Sequence, residues 1–393
     1  MQFATDKNNP EWRSRIDKRF TSLRGYAALT VMLAHYQYIG FLPSAPVFKY
    51  SAQCGLMLFF FLSSFLLCHS LVSDPNWTAR PRLSLMTYSI NRIFRIFPSL
   101  AVIIALTYWN RSSFFSPSVT YLEALRLSMT LGNAPSVLWT IPVELMFYVY
   151  LPVVLALALP ATRSRSGAAA LASAYLAWCA AIAFARHNGV SASLWMTLGF
   201  HHYANSFVGG VVFYALLAND RIRFPQSGAL AAWVAPLMFV LAYPFLYFAL
   251  FRRDFSMAEL AAPGAWQSYY DVVFPVAPLV VGGVAYGLLH PAESLLSRVM
   301  RIGLLHRIGE VSFGVYLVHI PMIVLFGSRY GYGDGQFCAS IAATFAAAAA
   351  LSPVIEKPGI AFGRGLGHWV LDRAKAKPAV QSPRRVVEGC SRG

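Results

Sequence analysis

The sequence predicts an all-α integral membrane protein, a polytopic bundle of about ten transmembrane helices with both termini in the cytoplasm. Of the 393 residues, 57% are hydrophobic and only 12% are charged, a composition that excludes an ordinary soluble domain. A bilayer is crossed by about 20 apolar residues. Windows of this length predict spans at 22–41, 54–73, 92–109, 137–159, 168–186, 196–218, 229–250, 271–290, 310–328 and 336–355.

These spans form one membrane domain over residues 22–358. A cytoplasmic segment, residues 1–21, precedes it, and a basic cytoplasmic tail, residues 359–393, follows it. We expect the last part of this tail to be disordered, because it is poor in large apolar residues. The longest connection, 110–136, is predicted to lie outside and contains a stretch with helical spacing from Tyr121. Any chemistry is therefore expected inside the membrane domain.

The basic residues are distributed unevenly between the two sides of the predicted bundle. With the N-terminus in the cytoplasm, 25 of the 32 Lys and Arg residues lie on the cytoplasmic side. The opposite side holds the other seven, namely Lys49, Arg111, Arg126, Arg186, Arg252, Arg253 and Arg329. This asymmetry follows the positive-inside rule. The net charge of +16 thus indicates topology and attraction to anionic lipid head groups, and not nucleic-acid binding.

Neither a disulfide framework nor a metal site is indicated. The five cysteines are scattered without a Cys-x-x-Cys spacing, and His201-His202 lacks partnering ligands. His69 and Asp74 have the His-x4-Asp spacing of glycerolipid acyltransferases, but this short pattern is weak and Asp74 falls in a predicted loop. We therefore expect no metal and assign no role to this pair.

Arg24 and His35 lie on one face of the first predicted span. Eleven positions separate them, which at about 100° and 1.5 Å per residue gives a shared face and a difference in depth of about 16 Å. A cation at the inner boundary and an imidazole more than halfway across the bilayer indicate the two ends of one elongated site.

Glu144 is the one acidic residue that lies well inside a predicted span. An ionisable group at the centre of a span costs roughly 2.5–3.5 kcal/mol on insertion scales, so it needs a reason. From the predicted span ends, Glu144 and His35 both lie about 9–10 Å below the outer surface. A carboxylate accepting one ring N–H would make His35 a better general base. We predict a catalytic pair; the alternative is a structural polar contact between helices.

Arg92 and Arg95 open the third predicted span at the level of Arg24. Arginines at i and i+3 share a helix face, and three guanidinium groups around a cleft could hold a pyrophosphate. The alternative is positive-inside anchoring alone. His319, deep in the ninth predicted span, is either functional or a buried hydrogen-bonding group.

Arg24-x10-His35 resembles the signature of the acyltransferase-3 family of integral-membrane acyltransferases. Five further segments are similar to that family's landmarks in the same order, across residues 22–358: Phe59-Phe-Phe-Leu-Ser63-Ser-Phe65-Leu, Arg92-x-x-Arg95, Trp139…Glu144-x-x-Phe147-Tyr148, Ser312-x-Gly-x-Tyr316-Leu-x-His319-x-Pro321 and Glu356-Lys-Pro358. Two positions depart from the pattern. Ser64 replaces a usual glycine, which shifts local helix packing, and Met57 replaces a common acidic residue, which removes a polar group from the cavity.

The resemblance implies an enzyme of the inner (plasma) membrane that transfers an acyl group, usually acetyl, from cytoplasmic acetyl-CoA or another acyl-CoA. The acceptor would be a hydroxyl of an extracytoplasmic carbohydrate or glycolipid, such as exopolysaccharide, O-antigen or lipo-oligosaccharide. Catalysis is expected from His35 and Glu144, and donor binding from Arg24, Arg92 and Arg95. Substrate contacts are expected from Ser63, Tyr148, Tyr316 and His319.

Two other classes of protein compete with the enzyme. A proton-coupled secondary transporter or glycan exporter also fits ten spans with a buried His and Glu, but it should show an internal repeat, and none is evident. A non-catalytic assembly partner would give no reason for the shared face of Arg24 and His35.

Overall fold

The computed structural model describes residues 16–41, 51–109, 120–129, 136–187, 204–218, 265–290 and 294–376. Most of these residues are helical, and there is no strand among them. In chain order the α-helices are α1 Thr21–Ile39, α2 Ser51–Val72, α3 Asn76–Ala79, α4 Pro81–Trp109, α5 Tyr121–Met129, α6 Thr140–Ala161, α7 Arg165–His187, α8 Ala204–Leu217, α9 Ala265–Leu289, α10 Leu295–Val299, α11 Gly303–Glu310, α12 Ser312–Tyr330, α13 Asp334–Leu351 and α14 Lys357–Ala376. π-Helical turns, Ile16–Phe20 and Ser352–Glu356, precede α1 and α14, and a 3₁₀ turn, Ser136–Trp139, precedes α6.

Five helical stretches of the described chain are long and apolar enough to cross a membrane: Ala52–Val72, Pro81–Tyr108, Val137–Ala161, Ser312–Tyr330 and Asp334–Ala374. Two shorter helical stretches, Ala204–Leu217 and Ala277–Leu289, are also apolar. The all-α membrane class is thus confirmed, whereas the count of ten spans and the side of each terminus stay predictions. The predicted span 229–250 lies outside the described residues.

Helix α4 begins eleven residues before the predicted third span. The prediction began this span at Arg92, but the helix begins at Pro81. The search for apolar windows missed the residues before Arg92 because many of them are polar. At 1.5 Å per residue, Arg92 therefore lies about 16 Å from the start of the helix. Arg92 and Arg95 therefore belong to the interior of this helix and not to its end.

Helix α1 packs in parallel against α11 and α12. At one end, a Cβ on Gly25 would overlap the backbone of Leu305 and Gly309, so the absence of side chains lets the helices touch. Ten positions further along each chain, His35 meets His319 with the same sequence offset of 284. This parallel register places two histidines side by side.

The phenylalanine-rich run of α2 joins three helices. The ring of Phe207 on α8 stacks on Phe147 of α6 at 3.7 Å and on Phe60 of α2 at 4.6 Å between centroids. Ser64 is fully buried where α2 meets α8, and a Cβ on Gly210 would overlap its hydroxyl oxygen. The serine that replaces the family's usual glycine therefore faces a glycine on the neighbouring helix.

Helix α14 occupies the first half of the segment that the sequence assigns to the basic tail. Three glycines four residues apart, Gly359, Gly363 and Gly367, form one face of this helix. A Cβ on any of them would come within 3.0 Å of α4, at Phe94 or Thr87. The two helices therefore pack closely, and α14 continues the bundle. Residues 377–393 lie outside the described part of the chain.

Candidate active site

A cavity of about 660 Å³ lies between α1, α2, α4, α6, α12 and α14. Seven of the nine site residues that the sequence predicts line it: Arg24, Ser63, Arg92, Arg95, Glu144, Tyr148 and Tyr316. The other two, His35 and His319, lie next to the cavity end formed by Tyr316. One connected region of the structure therefore holds all nine residues, although the sequence places them on five helices.

Three guanidinium groups, those of Arg24, Arg92 and Arg95, line the cavity and are called the arginine cluster below. The Nε atoms of Arg24 and Arg92 are buried and have no hydrogen-bond partner. The guanidinium carbon of Arg92 lies 5.9 Å from the ring centroids of both Tyr88 and Tyr148, within the range of a cation–π contact. The cluster therefore keeps buried donors without partners on the cavity wall, as an anion site requires.

Two carboxylates accompany the arginine cluster. Glu144 accepts a hydrogen bond from the Tyr148 hydroxyl and interacts electrostatically with Arg24. Glu356, in the second π-helical turn, is buried and interacts electrostatically with Arg95 and Arg24, and its Oε2 atom has no hydrogen-bond partner. Three positive and two negative charges leave a net positive group, which favours a polyanion such as pyrophosphate.

His35 and His319 form a hydrogen-bonded pair, called the histidine pair below. His319 Nε2 lies 3.3 Å from His35 Nδ1, and the ring centroids are 5.0 Å apart. His319 Nδ1 lies 2.7 Å from the carbonyl oxygen of Tyr316, and His35 Nδ1 lies 2.8 Å from that of Val31. Since a carbonyl only accepts, we assign both Nδ1 atoms as N–H donors in the neutral rings.

This assignment leaves His319 Nε2 as an acceptor that shares the His35 Nδ1–H with the closer Val31 carbonyl oxygen. It also leaves His35 Nε2 as an unprotonated nitrogen. A histidine that acts as a general base is oriented when its Nδ1–H donates a hydrogen bond to a neighbouring acceptor. His319 is fully buried, while His35 is partly exposed. The more accessible ring thus carries the free basic nitrogen.

Tyr316 connects the cavity to the histidine pair. Its hydroxyl donates to the Val137 carbonyl oxygen at 2.6 Å and accepts from Thr140 Oγ1 at 2.9 Å. Its ring lies 5.7 Å from that of His319. These contacts fix the 3₁₀ turn before α6 against α12.

The structure does not form the His35–Glu144 pair that the sequence predicts. The prediction placed residue 137 at the outer surface, but Val137 is buried beside the Tyr316 hydroxyl. Glu144 lies seven positions further along, about 10 Å at 1.5 Å per residue, and reaches Arg24 and Tyr148. The partner of His35 is His319, which the sequence assigned to substrate binding.

The side chains that line the cavity but received no role from the sequence include His69, Ser73, Asp74 and Arg364. Asp74 accepts hydrogen bonds from Ser84 Oγ at 2.5 Å and from the Asn76 backbone N–H at 2.9 Å. The His-x4-Asp spacing is the signal for the first and third of these residues. No sequence signal distinguishes Arg364 from the other basic residues of the predicted tail.

The comparisons with known proteins rest on one match. No curated protein and no solved structure matches the chain. Residues 17–354 match the family described as an acyltransferase domain. This match covers the arginine cluster, the histidine pair and every residue that lines the cavity except Arg364. It also covers all the sequence landmarks except Glu356-Lys-Pro358. The chain belongs to the acyltransferase-3 family of membrane acyltransferases.

Proposed function

We propose that the protein transfers an acyl group, with acetyl as the expected one, from cytoplasmic acyl-CoA to a hydroxyl of an extracytoplasmic glycan. The supporting observation is that one cavity extends from the arginine cluster to Tyr316, whose ring contacts the histidine pair. An anion site and a base at opposite ends suit a long donor whose charged part and reactive part lie far apart. We place the enzyme in the inner (plasma) membrane.

The donor binds with its pyrophosphate on the arginine cluster. Arg24 and Arg92 supply buried N–H groups that lack partners, and charge-assisted hydrogen bonds to phosphate are stronger than those between neutral groups. The pantetheine arm then extends along the cavity toward Tyr316. The distance of about 16 Å between the depths of Arg24 and His35 suits this extended arm.

The base is His35 Nε2, at the far end of the site. It takes the proton of the acceptor hydroxyl while the hydroxyl oxygen attacks the thioester carbonyl carbon. An ester C–O bond forms, the C–S bond breaks, and the CoA thiolate leaves and is protonated in turn. His319 accepts the His35 Nδ1–H hydrogen bond throughout and so keeps the base in its orientation.

Glu144 belongs to the donor end of the site. Its contacts with Tyr148 and Arg24 fix the position of the cluster against the cavity wall. Ser63, on the same cavity wall as Phe59 and Phe60, is available to the pantetheine arm or the acceptor.

The test is acyl transfer by the purified full-length protein. Acetyl-CoA labelled in the acetyl group is incubated with the protein and with glycan from the source cells, and ester-linked label and free CoA thiol are measured. The His35→Ala variant, which retains the arginine cluster, is the control for uncatalysed transfer. Labelled ester in wild type alone supports the proposal; transport of intact glycan without thioester consumption would contradict it.

The acceptor class is tested in cells. Surface glycans are compared for O-acetyl content with and without the gene, and again after complementation with wild type or His35→Ala. We expect O-acetylation to disappear on deletion and to return with wild type only. Unchanged surface glycans would overturn the proposed acceptor while leaving the transferase activity to be judged by the purified protein.

A further inference from the structure

The arginine cluster is not the whole of the basic surface of the cavity. Arg364, on α14, lines the same cavity. It is exposed, and no hydrogen bond or ion pair with another described residue occupies its guanidinium group. By contrast, Arg373 on the same helix lies over the Trp369 ring at 4.2 Å. Arg364 is therefore an exposed and available cation on the cavity wall.

The position of Arg364 is set by the packing of α14 on α4. Gly363 precedes it directly and contacts Phe94, which lies between Arg92 and Arg95 in sequence. The close approach of the two helices fixes Arg364 relative to the arginine cluster. A disordered tail could not hold a cation at a defined place over this cavity.

Arg364 shares the cavity wall with other polar residues. His69, Ser73, Asp74 and Arg364 are called the mouth residues here, because the first three lie at the end of α2 and in the turn after it. The Ser73 hydroxyl is buried and has no hydrogen-bond partner. Asp74 is already engaged by Ser84 and Asn76, so Ser73 and Arg364 remain as donors for a ligand.

The chemistry of CoA places a second phosphate near the mouth residues. CoA carries a pyrophosphate between pantetheine and ribose, and a separate monophosphate on the ribose 3′ oxygen. With the pyrophosphate on the arginine cluster and the thioester toward Tyr316, the ribose must lie on the opposite side of the pyrophosphate. On α2, the Phe59 ring contacts the Tyr316 ring, and Ser73 follows Phe59 by 14 positions, about 21 Å at 1.5 Å per residue. The end of the cavity away from Tyr316 is therefore the end that Ser73 lines, and Arg364 lines the same cavity from α14.

We propose that Arg364, together with the Ser73 hydroxyl, binds the ribose 3′-phosphate of the donor and makes the enzyme select CoA thioesters over their 3′-dephospho forms. The inference rests on the proposed function for the identity of the donor. It adds a specificity-determining residue that lies outside the family match, which ends at residue 354. A bidentate guanidinium–phosphate contact is the interaction that arginine provides best.

The kinetic test compares acetyl-CoA with 3′-dephospho-acetyl-CoA as donor. Wild type is expected to prefer acetyl-CoA by at least about tenfold in kcat/KM, since a hydrogen bond to a charged group is worth this factor or more. Arg364→Gln should lose most of this preference by slowing acetyl-CoA, with little change for the dephospho donor. Arg364→Lys should keep part of it, and Arg373→Gln, the control on the same helix, should keep all of it. A preference unchanged in Arg364→Gln, or equal losses with both donors, would overturn the inference.

A binding measurement separates the inference from the proposed function. Binding of CoA and 3′-dephospho-CoA to the full-length protein in detergent is measured by titration calorimetry. If CoA binds more tightly than 3′-dephospho-CoA in a way that depends on Arg364, but the protein transfers no acetyl group, the proposed function is wrong and the phosphate site stands. If an active wild type binds both ligands equally, the phosphate site is wrong and the proposed function stands. If neither ligand binds, both are wrong.

Discussion

The histidine pair supplies an orienting group without a full negative charge. A neutral imidazole at His319 Nε2 accepts the hydrogen bond of His35 Nδ1–H, but it cannot balance a positive charge as a carboxylate would. In the proposed mechanism, the protonated form of His35 is a short-lived carrier that passes its proton to the leaving thiolate. There His319 orients His35, a role different from the substrate contact predicted from the sequence.

We expect His35→Ala to lower turnover by 10²–10⁴-fold, the usual contribution of a general base. Binding of acyl-CoA should persist, because the arginine cluster is untouched. His319→Ala should cost less but act on the same step, so the double variant should be little worse than His35→Ala alone. The measurement is single-turnover acetyl transfer for the two single variants and the double variant.

Glu144→Gln serves as the comparison for this cycle. It keeps the shape of Glu144 and removes the charge beside Arg24, so its effect should appear in donor binding and add to that of His35→Ala. The opposite result would be a non-additive loss of turnover for Glu144→Gln with His35→Ala, and additive losses for His319→Ala with His35→Ala. That result would favour the His35–Glu144 pair predicted from the sequence over the histidine pair in the structure.

The arginine cluster gives a second expectation at the scale of single residues. Arg92→Ala should weaken acyl-CoA binding by about 10- to 100-fold, because it removes charge-assisted hydrogen bonds to phosphate. Arg82→Ala, at the exposed start of the same helix α4, is the matched control and should leave affinity unchanged. Titration of CoA into each folded variant measures the difference. Unaltered affinity in a variant lacking Arg24, Arg92 and Arg95 together would exclude the cluster as the donor site.

At the scale of elements, glycine faces decide which helices touch. Helix α14 meets α4 through Gly363, where a Cβ would lie 2.7 Å from the Phe94 Cβ. Gly365, two positions later on the same helix, has nothing within 4 Å of an added Cβ. A comparison of substitutions at the two glycines therefore distinguishes a packing role from the general cost of glycine in a helix.

We expect Gly363→Ala to destabilise the protein by about 1–3 kcal/mol, the usual cost of overpacking a close contact. Gly365→Ala should be neutral or slightly stabilising, since alanine is the better helix former. Thermal unfolding of the two variants in the same detergent measures the order. Equal midpoints for both variants would show that α14 does not depend on this contact with α4.

The same elements show what the sequence can predict and what it cannot. Apolar windows found α2, α6, α12 and α13 with errors of a few residues, because these helices are apolar along their length. They missed the first eleven residues of α4, since polar residues at the membrane boundary resemble a loop. The face formed by Gly359, Gly363 and Gly367 was not recognised as a helix contact.

The candidate site shows the same division. Rare ionisable residues inside spans pointed to Arg24, His35 and Glu144, because each is costly without a function. Which of them pair depends on relative helix depth, which a sequence gives only through assumed span ends. The offset of 284 that joins His35 to His319 is set by contacts between distant helices, so no local pattern contains it.

At the scale of the whole molecule, the direction of transfer depends on topology. The excess of basic residues on one side predicts both tails in the cytoplasm and residues 110–136 outside. We expect a cysteine introduced at Ser118 to react with an impermeant maleimide on intact cells, and one at Ser382 to react only after permeabilisation. The opposite pattern would reverse the sides of donor and acceptor.

This labelling experiment needs a background without native cysteines. Cys338 is exposed on α13 and lies near a predicted outer boundary, so it would itself react. Replacement of all five cysteines by serine, followed by the activity assay, provides a silent background. Restoring Cys338 alone then gives an internal marker for the outer side.

The position of Tyr316 also matters for how well the membrane holds back ions. A water-filled cavity that ran from the arginine cluster past the histidine pair to the other surface would conduct ions and discharge the stored potential. The Tyr316 hydroxyl ties α12 to Val137 and Thr140, and its ring covers the buried His319. Tyr316 therefore stands between the cavity and the buried His319, and we expect its ring to limit the passage of water and protons at this point.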